Sequence, residues 1–255
     1  MNQLVLWNDV TLFWGSNPRA ILGHKHPVVQ LVLAIQDSFL SKDENDNWVK
    51  KRGLLIAPNH LHECDAKNVQ ILSLEIDPES SLGEWITKKH LAGQKVIDYP
   101  SSTFPELNFE EWSNILKQEK WKKLRSMVDN IFMFQKTDDA LMKDDRVEKI
   151  LKFISNNIET LIDTKTLMEI AHLSESRMLH LFKDKMGLPI RNYILWFRLK
   201  TVLVQILNGE SLTEAAYSAG FSDQAHMTRT CVKMVGIPPS QIIKNSKFVQ
   251  VSFQE

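Results

Sequence analysis

The chain has 255 residues, 43% of them apolar and 24% charged, and its 31 basic side chains are balanced by 31 acidic ones. That length allows two ordinary domains, each with its own core, and zero formal charge excludes a strong field over the whole molecule as the means of attracting nucleic acid. The halves differ in sign. Residues 1–142 hold 16 basic and 19 acidic side chains and the remainder 15 and 12, so DNA affinity in the C-terminal part has to come from local placement. Cys64 and Cys231 lie far apart without metal-binding spacing and are expected to be reduced thiols of a cytoplasmic protein. The N-terminus, MNQLVLWNDV, lacks a basic segment followed by a long apolar one, so no signal peptide is expected. No apolar run approaches about 18 residues, the length needed to span a membrane.

From Leu4 to roughly Ile76 the pattern is β. Leu12-Phe13-Trp14, Val28 to Ile35, Trp48-Val49, Leu54-Leu55-Ile56 and Val69 to Ile76 are short β-prone runs, separated by Asp, Asn, Gly and Pro clusters such as 42–47. Many short strands at close spacing predict a small barrel or jelly roll. Asp77 to Ser81 reads as the entry to a helix ending near His90, followed by a loop containing Pro100 and Pro105. Across 106–135, Leu107, Trp112, Ile115, Leu116, Leu124, Met127, Val128, Ile131 and Phe132 recur at three- and four-residue intervals, which predicts two helices broken around 118–120. Their apolar stripe either packs on the chain's own barrel or pairs two subunits. A polar, charge-rich segment at 137–145 reads as a linker. Arg146 to Asn156 is then an amphipathic helix with Val147, Ile150, Leu151 and Ile154 on one face.

Residues 164–189, TKTLMEIAHLSESRMLHLFKDKMGLP, and 211–240, SLTEAAYSAGFSDQAHMTRTCVKMVGIPPS, follow the same order of events. In the second, Leu212, Ala215, Ala216 and Ala219 form the apolar side of a helix, and Gly220 supplies a residue that turns left-handed cheaply. Ser222, followed by Asp223, is read as the N-cap of a second helix, and Pro238 and Pro239 stop the unit after Gly236. In the first, Leu173 and Ser174 correspond to Phe221 and Ser222, and Met186 to Pro189 correspond to Val235 to Pro238. Met168 and His172 stand where the second copy has Ala216 and Gly220. Each copy is a helix-turn-helix pattern, whose second helix suits a DNA major groove. Between them Ile190 to Asn208 reads as one stiff helix, apolar at Tyr193, Ile194, Phe197, Val202, Leu203 and Ile206 and ended by Gly209.

Through LSESRMLHLFKDKMGLP, Phe197-Arg198-Leu199 and SLTEAAYSAGFSDQAHMTRT, residues 144–246 resemble the DNA-binding domain of the AraC/XylS family of transcription regulators. Cys231-Val232 departs from its usual Phe and basic residue. The resemblance implies an α+β chain of two domains. A cupin-like β-barrel with flanking helices (1–136) would sense a small-molecule effector, and an all-α domain (146–255) would hold two helix-turn-helix units joined by a long helix. It further implies double-stranded DNA as partner, contact with RNA polymerase, and homodimer formation through the helices of 106–135. On the second recognition helix Gln224, Ala225, His226, Arg229 and Lys233 are expected outward, and Met227, Thr230 and Cys231 inward. Gln pairs with adenine and Arg with guanine in bidentate fashion, which makes Gln224 and Arg229 the candidate base readers. His226 can read a guanine, contact a phosphate or merely lie on the surface. In the first unit, positions matching Ser176, Leu179 and His180 face the groove in the family; Leu179 suits a thymine methyl and His180 a polar edge. Arg177 and Lys183 suit phosphates, as do backbone N–H groups at Ser174 and Ser222.

Metal-binding cupins bring an H-x-H pair, a carboxylate and a later His together inside the barrel. Here His24, His26 and His62 can supply three imidazoles, but Gln30 stands where the carboxylate is expected and carries no charge to offset a divalent cation. Glu63 would point to the opposite strand face. The four residues His24, His26, Gln30 and His62 are therefore read as lining an effector pocket, with no metal and no cofactor. No catalytic motif is present, and the expected function is a non-enzymatic, effector-responsive regulator. A metal-dependent cupin enzyme and a ligand-independent regulator stay as alternatives.

Overall fold

The computed structural model describes residues 2–99, 107–135 and 144–243, together with the backbone of a strand at 246–250. Most of the linker read at 137–145, and the loop holding Pro100 and Pro105, lie outside the described residues. The chain divides into two compact units: one contains 1–23, 28–138 and 245–255, and the other contains 24–27 and 139–244. No helix among the described residues is long and apolar enough to cross a membrane.

The first unit contains strands β1 (Asn2–Leu6), β2 (Val10–Ser16), β3 (Ile21–His24), β4 (Val29–Ala34), β5 (Phe39–Lys42), β6 (Trp48–Lys51), β7 (Gly53–Ile56), β8 (His62–Asp65), β9 (Gln70–Ile76) and β10 (Val96–Tyr99). They form a seven-stranded sheet, β10-β7-β4-β9-β2-β1-β11, and a four-stranded sheet, β3-β8-β5-β6. The seventh member is β11 (Ser246–Gln250), which pairs in parallel with β1. The C-terminal end therefore groups with the β-rich unit, where the sequence had assigned it to the helical one.

Strand periodicity accounts for the two cores. Side chains alternate faces, so Val29, Leu31 and Leu33 of β4, Leu55 of β7 and Leu72, Leu74 and Ile76 of β9 share one core. Val32, Ala34, Leu54, Ile56 and Ile71 share another with Phe39, Cys64 and Ala66. Both faces of the large sheet are thus buried, which is why its central strands read as continuous apolar runs. The predicted β-rich domain is thus present as a seven-stranded and a four-stranded sheet, and its described strands do not close into a barrel. Burial pushes the Cys64 thiol up to about 11, so it stays protonated and inert at neutral pH.

Helices α1 (Ser81–Ile86, continued by a π-helical turn at Thr87–Leu91), α2 (Phe109–Lys117) and α3 (Trp121–Ile131) complete this unit. The break expected around 118–120 is present, with Glu119 at φ 54°. Trp112, Leu116, Leu124, Met127, Val128, Ile131 and Phe132 enter the same core as the sheet. Of the two uses the sequence left open for the apolar stripe, it serves the chain's own packing. Arg125 of α3 reaches Asp9 at 2.9 Å and Asp129 at 3.1 Å, tying the helix to the β1–β2 turn.

The second unit is helical: α4 (Asp145–Asn156), α5 (Thr164–Ala171), α6 (Glu175–Met186), α7 (Ile190–Leu207), α8 (Leu212–Ser218), α9 (Gln224–Val235) and α10 (Pro239–Ile243). Asp144, assigned to the linker from sequence, caps α4: its carboxylate accepts from the Arg146 N–H at 3.0 Å, and the Arg146 guanidinium holds it down at about 2. Pro239, expected only as a stop, opens α10, since proline at a first helical position loses no intrahelical hydrogen bond. Val147, Ile150, Ile154, Leu167, Ala171, Met178, Phe182 and Met186 build a core with Ile190 and Tyr193 of α7.

Candidate nucleic-acid interface

In the second helix-turn-helix unit the turn is tightly specified. The Ser211 hydroxyl accepts from the Glu214 N–H at 3.3 Å while the Glu214 carboxylate accepts from the Ser211 N–H at 2.9 Å, a reciprocal cap for α8. Ala215, Ala216 and Ala219 are fully buried, and short side chains here let the helices cross closely. Gly220 sits at φ 79°, and a Cβ on it would lie 2.4 Å from the Ile158 carbonyl oxygen, so both conformation and space demand glycine. The cap of α9 is Asp223, not Ser222 as read from sequence. Its carboxylate accepts from the His226 N–H at 2.6 Å, which holds it below the usual carboxylate range. Ser222 instead donates to Asp223 at 3.1 Å and lies 3.3 Å from His226 Nδ1.

Along α9 Gln224, Ala225, Arg229 and Lys233 are exposed, while Met227, Thr230, Cys231 and Met234 are buried. The faces fall where three- and four-residue spacing put them. His226 is half-buried, and its ring stands edge-on to Phe221 at 5.3 Å. Gln224 is oriented by a residue that sequence reasoning passed over: the Thr213 hydroxyl donates to Gln224 Oε1 at 2.7 Å. Thr213 lies eleven residues away in sequence, so periodicity carries no signal of it.

The first unit follows the same plan with different parts. Asp163 caps α5, accepting from the Thr166 N–H at 2.8 Å. His172 takes the left-handed turn position at φ 51°, where the other copy has glycine. Met168 is half-buried at the margin of the core, so its bulk is accommodated beside the slim Ala171. Ser174 occupies the N-cap of α6 but makes no side-chain cap bond. Glu175, Ser176, Arg177, Leu179, His180 and Lys183 are exposed, and Met178, Phe182 and Met186 buried. Both α6 and α9 close on a left-handed glycine, Gly187 and Gly236, whose N–H donates back at 2.9 Å. The 18-residue α7, roughly 27 Å long at 1.5 Å per residue, carries one unit toward each end.

A family model described as a helix-turn-helix domain matches residues 167–245. Residues 167–245, which hold both turns and the helix between them, are thus a helix-turn-helix domain. Among experimentally determined structures the chain is similar to ToxT from Vibrio cholerae. An apo form is 13% identical at a TM-score of 0.54, with 91% of this chain and 95% of that one covered. A second ToxT structure is 14% identical at 0.53, covering 92% and 95%. A third, bound to (E)-4-(8-methylnaphthalen-1-yl)but-3-enoic acid, is 13% identical at 0.51, covering 92% and 96%. At such identity the likeness establishes the fold: a β-rich N-terminal part and a helical C-terminal part. No curated protein sequence matches the chain.

The residues expected to line an effector pocket are buried or half-buried. His24, His26 and His62 are 5%, 2% and 8% exposed, and the His24 and His26 rings lie 5.5 Å apart. The Gln30 amide donates to the Ser73 hydroxyl at 3.2 Å, and His62 Nδ1 lies 3.0 Å from the His60 carbonyl oxygen. Three imidazoles are a donor set that a divalent cation accepts. Gln30, where the sequence pattern expects a carboxylate, carries no charge to offset a cation.

Proposed function

We propose that the chain is an AraC-type DNA-binding regulator whose α6 and α9 enter successive major grooves of one duplex from one side. What carries the reading is the duplication within a single unit: two turns of the same plan, each leaving a polar helix face exposed and an apolar face buried. Gln224 and Arg229 serve as base readers in the second groove, and Leu179 and His180 in the first, with Ser176 and Ala225 lining the floor. Arg177 and Lys183 take phosphates, as do N–H groups at Ser174, where no side chain occupies the helix terminus. At α9 the Asp223 carboxylate holds that place and repels a phosphate, so Ser222 and His226 act at the groove edge through their own side chains. The test is selection of duplexes from a randomised pool, followed by footprinting. Two protected major-groove segments about 10 base pairs apart are expected; binding without sequence preference, or one protected segment only, overturns the reading.

A small-molecule effector is proposed for the N-terminal part of the chain, with His24, His26, Gln30 and His62 as the sequence-derived candidates for contacting it. A ligand with an apolar body and one carboxylate suits buried imidazoles among apolar side chains, and such a molecule is bound in a ToxT structure of the same fold. Effector action requires different affinities for two arrangements of the protein. Hydrophobic carboxylic acids should therefore raise the melting temperature and change duplex binding, their amides should do neither, and His62→Ala should abolish both effects. Contact with RNA polymerase and a cytoplasmic location belong to the same proposal.

A further inference from the structure

Arg198 lies on α7, flanked by Phe197 and Leu199, and its charge faces a place where the two helix-turn-helix units meet within the helical unit. Its Nη2 donates to the Thr160 carbonyl at 2.9 Å. Thr160 and Ile158 belong to the connection from α4 to α5, the approach to the first unit, and Ile158 is buried in that unit's core. Gly220 is the turn of the second unit. A Cβ built on Gly220 would lie 2.4 Å from the Ile158 carbonyl and 3.0 Å from both Arg198 Nε and Nη2. Three elements therefore converge: the lead-in to the first unit, the connecting helix, and the turn of the second. No carboxylate among the described residues pairs with Arg198, and its Nε is buried without a hydrogen-bond partner there. Burial lowers its pKa with nothing offsetting. A half-buried guanidinium answered by backbone carbonyl is a costly arrangement for packing alone.

We propose that Arg198, seated between the Thr160 carbonyl and the bare Cα of Gly220, is a positioning residue that locks the two helix-turn-helix units in one orientation and so sets the spacing of DNA half-sites the protein accepts. The mechanical reason is simple. Two bodies mounted on one rod keep their distance but twist about it. A tie from the rod to the lead-in of the first unit, made by Arg198 beside the turn of the second, removes that twist. Major grooves repeat every 10–10.5 base pairs, so an error of one base pair turns a half-site by roughly 35°.

This rests on the two-groove reading above, and the test has one arm that needs no DNA. Spin labels at Lys185→Cys and Lys233→Cys, both exposed positions, report the separation of α6 and α9 in the full chain; Cys64 and Cys231 are buried and stay unlabelled. The labelled parent should show one narrow distance distribution. Arg198→Met, which keeps length and loses the donors, should broaden it, and Arg198→Lys, which keeps one donor, should fall between. A distribution equally narrow in Arg198→Met, even with a lowered melting temperature, overturns the proposal and leaves Arg198 a stability residue. If Arg198→Met does not fold, Arg198→Lys decides alone, and identity with the parent overturns it. In the second arm, duplexes selected by the wild type are given one extra base pair between half-sites. Wild-type affinity should drop about tenfold or more and that of Arg198→Met by less than about threefold. Equal drops overturn the proposal. Failure of the wild type to select any duplex overturns the two-groove reading and leaves the spin-label result to judge the clamp.

Discussion

The two helix-turn-helix units of this chain share a plan and differ in how firmly each turn is held. In the second, Gly220 touches a backbone carbonyl, α8 is capped reciprocally by Ser211 and Glu214, and α9 is capped by a carboxylate. In the first, a histidine takes the left-handed position and α6 begins without a side-chain cap. The second is pre-organised, and the exposed side chains of α9 stand on a firmly held turn. The first leaves its N-terminal N–H groups open to an anion, which suits a unit that grips the backbone more than it discriminates bases.

The contrast breaks most easily at the turns. Gly220→Ala should cost about 2–4 kcal/mol in denaturant unfolding, because a methyl group meets a carbonyl in a left-handed backbone. His172→Gly should change stability by no more than about 1 kcal/mol, in the stabilising direction. Equal losses at the two turns would show that neither is tighter than the other. Next in size, Arg229→Ala should lose about 1–3 kcal/mol at one base pair of a selected duplex. Lys183→Ala should weaken all sequences alike and reduce the salt slope by about one phosphate; the opposite assignment of these phenotypes would exchange the roles of the two helices. A pH series sharpens the caps. Asp223 has its folded pKa lowered by the His226 N–H, so its stabilisation is complete above the ordinary carboxylate value of about 4 and fades as pH falls through the lower folded value. Hydrogen exchange at the His226 amide should accelerate over that window in the wild type and stay level in Asp223→Asn. The first turn of α6, which has no side-chain cap, should show no such step. The smallest effect is expected from Thr213→Val, which frees Gln224 Oε1 and should loosen base preference at one position without changing stability.

Much of the fold can be read ahead of the coordinates wherever the signal is local. The runs at Val28–Ile35 and Val69–Ile76 announce β4 and β9 because both faces of the large sheet are buried. The stripe through Trp112, Leu116, Leu124 and Val128 announces α2 and α3. Other strands are silent. His62–Asp65 reads as polar, and becomes β8 because β3 and β5 flank it; Ser246–Gln250 becomes β11 because β1 offers an edge. On the interface, burial follows spacing residue by residue: Met227, Thr230 and Cys231 inward, Gln224 and Arg229 outward. The cap was misplaced by one residue because Ser222 and Asp223 are both good cap formers. The Asp223 carboxylate takes the cap by accepting from the His226 N–H, and the Ser222 hydroxyl turns to Asp223 instead.

Amphipathic spacing, turn residues and an internal duplication were enough to specify two helix-turn-helix units on one stiff helix, because each depends on neighbours within a turn or two of the chain. Only tertiary structure decided that Gly220 rests on the Ile158 carbonyl, that Arg198 reaches Thr160 across 38 positions, and that Thr213 aims Gln224. Those pairings join segments brought together by the packing of whole helices, and local periodicity is identical whether they form or not.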